Sequence, residues 1–172
     1  MQIDITGTTS KKLKAELTEA AEFFASQLLN PRTAKAITLD IEITKNSDNL
    51  GACVDEDGTK NPRWFTISLS KESNSEMIKT LGHEMVHVKQ HAKNELKSAL
   101  IIPTARVGKR QRGGELKLVD IWQGEVWKPK GKQDGYFDSP WELEAYSLEV
   151  GLFYKWQTRH DKTKPWFVGE EK

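Results

Sequence analysis

The sequence predicts a small α+β domain, and three observations carry this prediction. Two long stretches, residues 13–28 and 77–88, repeat apolar residues at the spacing of an amphipathic helix. Two shorter stretches, residues 37–43 and 65–69, alternate apolar and polar residues as half-buried strands do. A further helical stretch follows Ser139-Pro140. The order helix, three strands, helix, extended insert, helix is typical of an α+β domain.

The N-terminal half holds the predicted strands. In MQIDIT, Ile3 and Ile5 alternate and predict a short first strand. The helix that follows ends at Asn30-Pro31, because proline disfavours the helical conformation in the residue before it. AITLDIEIT, GACV before the turn DEDG, and RWFTISLS then predict three more strands.

The central helix lies in SNSEMIKTLGHEMVHVKQHAKNEL, where Ser73 and Glu76 have the spacing of a capping box. PTARVGKRQRGGELK, rich in glycine and cations, is interpreted as a loop. LKLVDIWQGEVWKP predicts extended chain with a hairpin near Gly124. In the last helix Ser139 fits the N-cap and Pro140 the first helical position.

Composition limits the classes of protein to consider. The 172 residues are 37% hydrophobic and 30% charged, which suits one globular domain; we interpret residues 1–160 as that domain and 161–172 as a poorly ordered tail. The 26 Lys and Arg nearly cancel the 25 Asp and Glu, so no global field attracts nucleic acid or membrane. Without an apolar leader or spanning run, we expect a cytoplasmic monomer. Cys53, the single cysteine, excludes an internal disulfide and is expected to be inert.

The stretch GHEMVHVKQH holds three of the four histidines. His83 and His87 are four apart on a predicted helix, so both imidazoles project from one face and can bind one metal ion. His91 lies ~12 Å along the helix axis from His83 and is outside such a site. Glu84 completes the H-E-x-x-H arrangement, in which zinc activates a water and the glutamate takes its proton.

A histidine stripe on a solvated face of a metal-free helical domain is the alternative. The position of the pattern, inside a capped helix and directly after a strand, favours the metal site. A third ligand is then needed. No further histidine has a suitable spacing, and SPWELEAYSLE offers three carboxylates, Glu142, Glu144 and Glu149.

The pattern H-E-x-x-H followed by a later helix with E-x-E-A resembles the gluzincins, the thermolysin-like superfamily of zinc peptidases. HEMVHVKQ, WQGEVW and SPWELEAY together are similar to small SprT-like or minimal gluzincin proteins, many of them from phages and bacteria. The resemblance covers roughly residues 64–155. It implies a zincin-like fold, with a small antiparallel or mixed sheet packed on the H-E-x-x-H helix and a C-terminal ligand-bearing helix.

The resemblance also implies roles for single residues. His83 and His87 match the histidine ligands of Zn²⁺, Glu84 the general base and Glu142 the third ligand. The family's aspartate four residues after that ligand, which orients a ligand histidine, is Tyr146 here, and the third histidine of SprT proteins has no counterpart. Glu142 also fits a capping box with Ser139, and in that case Glu144 is the alternative ligand.

Other residues have two interpretations each. RWFTISLS is either the edge strand that pairs with an extended peptide substrate or an internal strand. Tyr146, and secondly Tyr136, are candidates for stabilising an oxyanion, or packing residues. Three tryptophans are expected to build the core beneath the site: Trp122, Trp127 and Trp141.

The loop from Arg106 to Lys117 carries five cations and only Glu115 opposing them, so nucleic-acid contact is a second hypothesis beside an ordinary solvated loop. Taken together, the sequence predicts a zinc metallopeptidase that acts on a peptide or protein substrate. The alternative is a catalytically weak or inactive zinc-binding domain that docks a protein or nucleic acid.

Overall fold

The computed structural model describes residues 1–7, 9–45, 49–101, 104–107, 110–113, 115–129 and 137–169, with the backbone alone for 104–107 and 110–113. Within these ranges the chain forms a mixed α+β fold, as predicted, with small sheets and four helices. The elements are, in chain order, β1 (Gln2–Gly7), α1 (Lys11–Leu28), α2 (Pro31–Ala36), β2 (Thr38–Thr44), β3 (Gly51–Asp55), β4 (Trp64–Ser70), α3 (Asn74–Ala92), β5 (Leu96–Ile101), β6 (Thr104–Val107), β7 (Arg110–Gly113), β8 (Lys117–Trp122), β9 (Glu125–Val126) and α4 (Pro140–Gln157).

The main sheet has the strand order β1-β2-β4-β3. β1, β2 and β4 are parallel, with Ile5 opposite Ile41 and Ile41 opposite Ile67, whereas β3 runs antiparallel to β4. RWFTISLS is therefore the internal strand β4, and the edge-strand interpretation of it is wrong. β3 is an edge strand of this sheet, and it is in contact with α3.

The hydrophobic core lies between one face of this sheet and the helices. Alternate residues of β2 and β4 are buried. Asp40 and Glu42 of β2, and Thr66 and Ser68 opposite them in β4, are half-buried or exposed, as in a sheet with one covered face. α3 packs against the strands β3 and β4 of the sheet and against the helices α1 and α4. α3 is therefore buried on several faces, which include its polar residues.

Helix ends follow the local sequence. The Ser73 hydroxyl accepts a hydrogen bond from the Glu76 N–H at 3.3 Å, which confirms the predicted N-cap of α3. α1 ends at Leu28, as Asn30-Pro31 predicts. The sequence analysis missed the short helix α2, in which the Asn30 side chain is the N-cap and Pro31 the first residue.

The insert between α3 and α4 is richer in strands than predicted. The hairpin at Gly124 is confirmed, with Gln123 and Gly124 at positive φ between β8 and β9. β5, which pairs with β8, was missed. The loop interpretation of the stretch from Arg106 to Lys117 is wrong, because β6 and β7 form an antiparallel pair and β8 begins at Lys117. A charged, glycine-containing segment can still satisfy its backbone groups by pairing.

Two predictions concern regions that are only partly described. The side chains of β6 and β7 lie outside the described part, so nucleic-acid contact through this hairpin stays a prediction. In the predicted tail, the Val168 N–H donates to the Arg159 carbonyl at 2.7 Å and the Trp166 indole N–H donates to the Thr158 hydroxyl at 3.2 Å. Of the helices within the described ranges, none combines the length and apolar character needed to cross a membrane.

Candidate metal centre

Helices α3 and α4 bring three buried side chains together. Nε2 of His83 lies 3.3 Å from Nε2 of His87, and the Glu142 carboxylate lies 3.3 Å from the first of these nitrogens and 3.4 Å from the second. All three side chains are buried. Two imidazole nitrogens and a carboxylate at these distances form a cluster that can hold a metal ion.

The start of α4 is tied directly to α3. The Gln90 side-chain amide donates to the Trp141 carbonyl at 2.9 Å, one residue before Glu142. The Trp141 ring is buried and lies 6.4 Å from the Trp122 ring and 5.0 Å from the Trp127 ring, measured between centroids. The three tryptophans therefore cluster at the start of the helix that carries Glu142.

The structure brings Glu142, rather than Glu144, to the histidine pair. Ser139 is the N-cap residue of α4, but its side chain makes no capping hydrogen bond, so the geometry does not support the capping-box role of Glu142. Glu144 points elsewhere: its carboxylate accepts from Lys89 at 2.7 Å and from Gln90 at 2.9 Å.

His83 is oriented by a carboxylate two turns further along α4 than Glu142. Nδ1 of His83 lies 3.2 Å from Glu149, whose other oxygen lies 3.1 Å from Lys79. Because a carboxylate accepts at Nδ1, that nitrogen carries a proton and Nε2 faces the cluster. The contact with Nδ1 of His83 that the resemblance led us to expect four residues after Glu142, where Tyr146 stands, is made instead by Glu149, seven residues after it. Its spacing of seven residues from Glu142 places both on one face of the helix, a signal that could have identified it.

His87 is oriented by a neutral amide. Nδ1 of His87 lies 2.8 Å from Oε1 of Gln90, an acceptor, so Nδ1 carries the proton and Nε2 presents its lone pair to the cluster. Gln90 is completely buried. The sequence analysis did not identify this role, although the three-residue spacing places both side chains on one helix face.

Burial and neighbouring carboxylates shift the pKa values of the side chains in and beside the cluster. Burial raises the pKa of Glu84 to about 7, although the positive charge of His83 opposes the shift. Burial alone would lower the pKa of His83, but the carboxylates around it, Glu142 foremost, outweigh burial and raise that pKa. At His87 burial prevails and lowers the pKa, so this imidazole favours its neutral, metal-binding form.

Glu84 reaches from α3 to the edge strand. A Cβ added at Gly51 in β3 would lie 2.6 Å from the Glu84 carboxylate. Only glycine, which has no side chain, therefore leaves room for the carboxylate at this position. The two residues line a cleft of about 510 Å³, and one side of His83 lines it as well. The Tyr146 ring lies at its rim, with its centroid 4.6 Å from that of His83. Tyr136 lies outside the described residues.

The remaining sulfur and imidazole groups take no part in the cluster. The His91 ring lies 6.4 Å from the Phe65 ring, between centroids, and burial lowers its pKa. His160 is exposed beside Glu19. Burial raises the pKa of the Cys53 thiol well above its ordinary value, which agrees with the prediction of an inert cysteine.

Comparison of the chain with protein-family models, with curated proteins and with solved structures gave no match. An assignment of function therefore depends on the chemistry of the metal centre and the cleft beside it.

Proposed function

We propose that the protein is a zinc-dependent metallopeptidase, in which His83, His87 and Glu142 hold the ion. One observation carries the proposal. Ligand atoms of a tetrahedral zinc site with bonds of ~2.0–2.1 Å are separated by ~3.3–3.4 Å. The two imidazole nitrogens are 3.3 Å apart, and each lies near a different oxygen of the Glu142 carboxylate, at 3.3 Å from His83 and 3.4 Å from His87. One ligand atom from each of the three residues lies within 4.8 Å of the other two. Two histidines and one glutamate leave the fourth position of a tetrahedron open, as catalytic zinc sites do.

When bound, zinc supplies a water whose pKa is lowered to ~7 and polarises the carbonyl under attack. Glu84 supplies the proton transfer. Its carboxyl group, with a pKa of about 7 in the metal-free site, can accept a proton near neutral pH and pass it to the leaving amine. The phenol of Tyr146 at the rim is the proposed hydrogen-bond donor to the developing oxyanion. Burial raises the pKa of that phenol, so it keeps its proton.

The proposed substrate is an extended peptide paired with β3, in a zincin-like arrangement. The Leu50 carbonyl accepts from the Ser70 N–H at 2.8 Å, and the Glu56 N–H donates to the Trp64 carbonyl at 3.0 Å. Residues alternate in an antiparallel ladder, so the main-chain groups of Gly51, Cys53 and Asp55 point away from β4. No described strand pairs with that side of β3, and an extended peptide can add there.

The experiment that tests the proposal compares wild type with Glu84→Gln. Glutamine keeps the shape of the side chain but cannot accept the proton. We expect an unchanged zinc content, measured by elemental analysis, and at least a ~100-fold loss of hydrolysis of a peptide library. Chelation of zinc should abolish the wild-type activity. Undiminished, chelator-resistant proteolysis by the variant would rule the mechanism out.

A further inference from the structure

The solvent-facing side of α4 carries no charge. Every residue of this helix that is exposed is uncharged, whereas its charged residues are all buried or half-buried. These charged residues are Glu142, Glu144, Glu149 and Lys155. A helix at the surface of a globular monomer normally shows the reverse, with its charges in water and its apolar residues inside. An exposed apolar face of this kind is typical of a helix that another protein surface covers.

The uncharged face is continuous along the helix, within an arc of ~140° at 3.6 residues per turn. It consists of Leu143, Tyr146, Ser147, Val150, Gly151, Tyr154 and Gln157. Its large side chains, Leu143, Tyr146, Val150 and Tyr154, are 57%, 47%, 64% and 47% exposed. The opposite side of α4 packs on α1 and α3, where the Trp156 ring lies 5.8 Å from the Phe23 ring between centroids. One side of α4 therefore belongs to the core and the uncharged face to the surface.

Gly151 lies in the middle of this face without a local reason to be glycine. Glycine inside a helix is less stable than alanine, because it loses more conformational freedom on folding. A Cβ added at Gly151 would meet no atom of the described chain within 4 Å. Gly151 and Ser147, one turn earlier, instead leave a notch between the large side chains of the face. Small residues of this kind allow a second helix to approach closely.

The notch and the large side chains are complementary to a second copy of the same helix. Two copies of α4 can pack antiparallel about a two-fold axis, so that the exposed side of Tyr146 in each copy faces Gly151 of the other. In this register Val150 of each copy faces Ser147 of the other. A large residue then meets a small one in both directions, as an interface between identical surfaces requires.

The charges beside the face fit the same arrangement. Glu144, near the start of α4, and Lys155, near its end, lie on the same flank of the helix. Residues on the same flank meet in an antiparallel pair, so Glu144 of each copy comes close to Lys155 of the other. A parallel pair would bring like charges together instead. Because the face itself is uncharged, no repulsion opposes its contact with an identical face.

The exposed area is sufficient for a weak but specific contact. Each of the four large side chains leaves on the order of 100 Å² in water. Two copies bring together ~800 Å² from these side chains, and the small residues extend this towards the ~1,000 Å² that a specific interface needs.

We propose that the uncharged face of α4 is the interface of a reversible homodimer, in which two copies pack antiparallel with Tyr146 opposite Gly151. This dimer replaces the monomer expected from the sequence. Tyr146 and Val150 also line the cleft beside the metal centre, so the second copy borders the opening of that cleft.

Sedimentation velocity of the full chain at increasing concentration measures the association. We expect a monomer that converts to a dimer in the micromolar range, and no larger species, because an interface between identical surfaces closes at two copies. A chain that stays monomeric up to ~1 mM, or that assembles beyond a dimer, would overturn the inference.

Gly151→Gln tests the notch without damaging the monomer. Glutamine is a better helix former than glycine, and the space around position 151 is free within the described chain, so the thermal stability of the monomer should not fall. The dissociation constant of the dimer should rise at least ~10-fold. Gly169→Gln is the matched control, since a Cβ there also meets nothing and the residue lies outside α4. Wild-type association by Gly151→Gln would contradict the close packing.

Cross-linking tests the orientation of the two helices. In the proposed register Leu143 of one copy faces Tyr154 of the other, so Leu143→Cys and Tyr154→Cys should be joined by a short bis-maleimide mainly when the two variants are mixed. Wild type, whose only thiol is the buried Cys53, should give no cross-link. Equally strong cross-linking of Leu143→Cys alone would indicate a parallel pair and overturn the proposed register.

Discussion

The Gln90 side chain makes three contacts, one to His87 of the candidate metal centre and two to the start of α4. Its carbonyl oxygen faces Nδ1 of His87, and its amide nitrogen donates to the Trp141 carbonyl and to Glu144. It therefore orients His87 on α3 and holds the backbone next to Glu142 on α4, two of the three candidate ligands. Residues that orient metal-bound histidines in this way typically change metal affinity by ~10–100-fold when they are replaced.

We predict that Gln90→Leu lowers the zinc affinity ~10–100-fold, because His87 and the start of α4 lose their common partner. Competition with a chromophoric chelator measures the affinity. The double variant Gln90→Glu, Glu144→Gln is the control. It keeps an acceptor for His87 and a hydrogen bond between the two positions, and should bind zinc more tightly than Gln90→Leu. Wild-type affinity in Gln90→Leu would show that the contact does not position the ligands.

The two candidate carboxylates on α4 should behave differently. Glu142→Ala removes a ligand, and we expect the purified protein to lose its bound zinc. Glu144→Ala should keep zinc at a ratio near one per chain, because Glu144 contacts Lys89 and Gln90 instead of the cluster. Elemental analysis of both variants measures this directly. Full zinc content in Glu142→Ala would remove Glu142 from the ligand set.

At the residue scale, spacing along the sequence predicts the side chains of the candidate metal centre but not the side chains that orient its histidines. His83, Glu84 and His87 follow from one helical turn, and the structure brings Glu142 to them as expected. Gln90 and Glu149 were not assigned their roles, because an orienting partner is defined by which Nδ1 it faces. That direction depends on how α3 and α4 pack, and local periodicity does not encode it.

At the element scale, β3 is the strand that lies against Glu84, the proposed general base. Gly51 faces α3, and a methyl group there would overlap with the Glu84 carboxylate at 2.6 Å and with the Thr80 side chain at 2.6 Å. Both contacts are far below ordinary van der Waals separation. Either the carboxylate or the strand must move to admit any side chain.

We predict that Gly51→Ala keeps zinc but lowers kcat/KM for peptide hydrolysis at least ~10-fold, since a displaced carboxylate transfers protons less efficiently. Peptidase assays and elemental analysis give the two readouts. Ala52→Ser is the matched control, because the next residue of the strand points to solvent and should tolerate the hydroxyl. Normal hydrolysis by Gly51→Ala would mean that Glu84 does not require this space.

The helices and strands were easier to predict than the order of the strands within the sheet. Periodicity and caps located α1, α3, α4 and the strands β1 to β4. Periodicity does not say which strand lies at an edge, so β4 was a candidate for a position that β3 occupies. The predicted helical stretch ran on through KNEL to Leu96, whereas α3 ends at Ala92 and Asn94 adopts a positive φ just beyond it. β5 begins at Leu96 and was missed, because residues 97–101 were assigned to no element.

At the scale of the whole molecule, α3 is enclosed by the sheet, α1 and α4. This position buries Glu84 and raises its pKa from an ordinary 4.5 to about 7. Between these two pH values the folded chain holds a proton that the unfolded chain has lost. The stability of the metal-free protein due to this group is therefore present at low pH and falls as the pH rises through about 7.

We predict that Glu84→Gln, which has no proton to lose, gains stability relative to wild type as the pH rises. Between pH 5 and pH 8 the difference in free energy of unfolding should change by ~2–3 kcal/mol in favour of the variant. Urea unfolding of both chelator-treated proteins at the two pH values measures it. A pH-independent difference would contradict the buried, proton-holding state of Glu84.

The chain leaves α3 at Ala92 and enters α4 at Pro140, and the hydrogen bond from Gln90 to Trp141 holds these two points together. The intervening strands therefore form a closed excursion from the packed helices α3 and α4. Closing a longer excursion costs little, ~0.6 kcal/mol for each doubling of its length. A change in the length of this excursion should therefore cost little stability and leave the contact between the two helices in place.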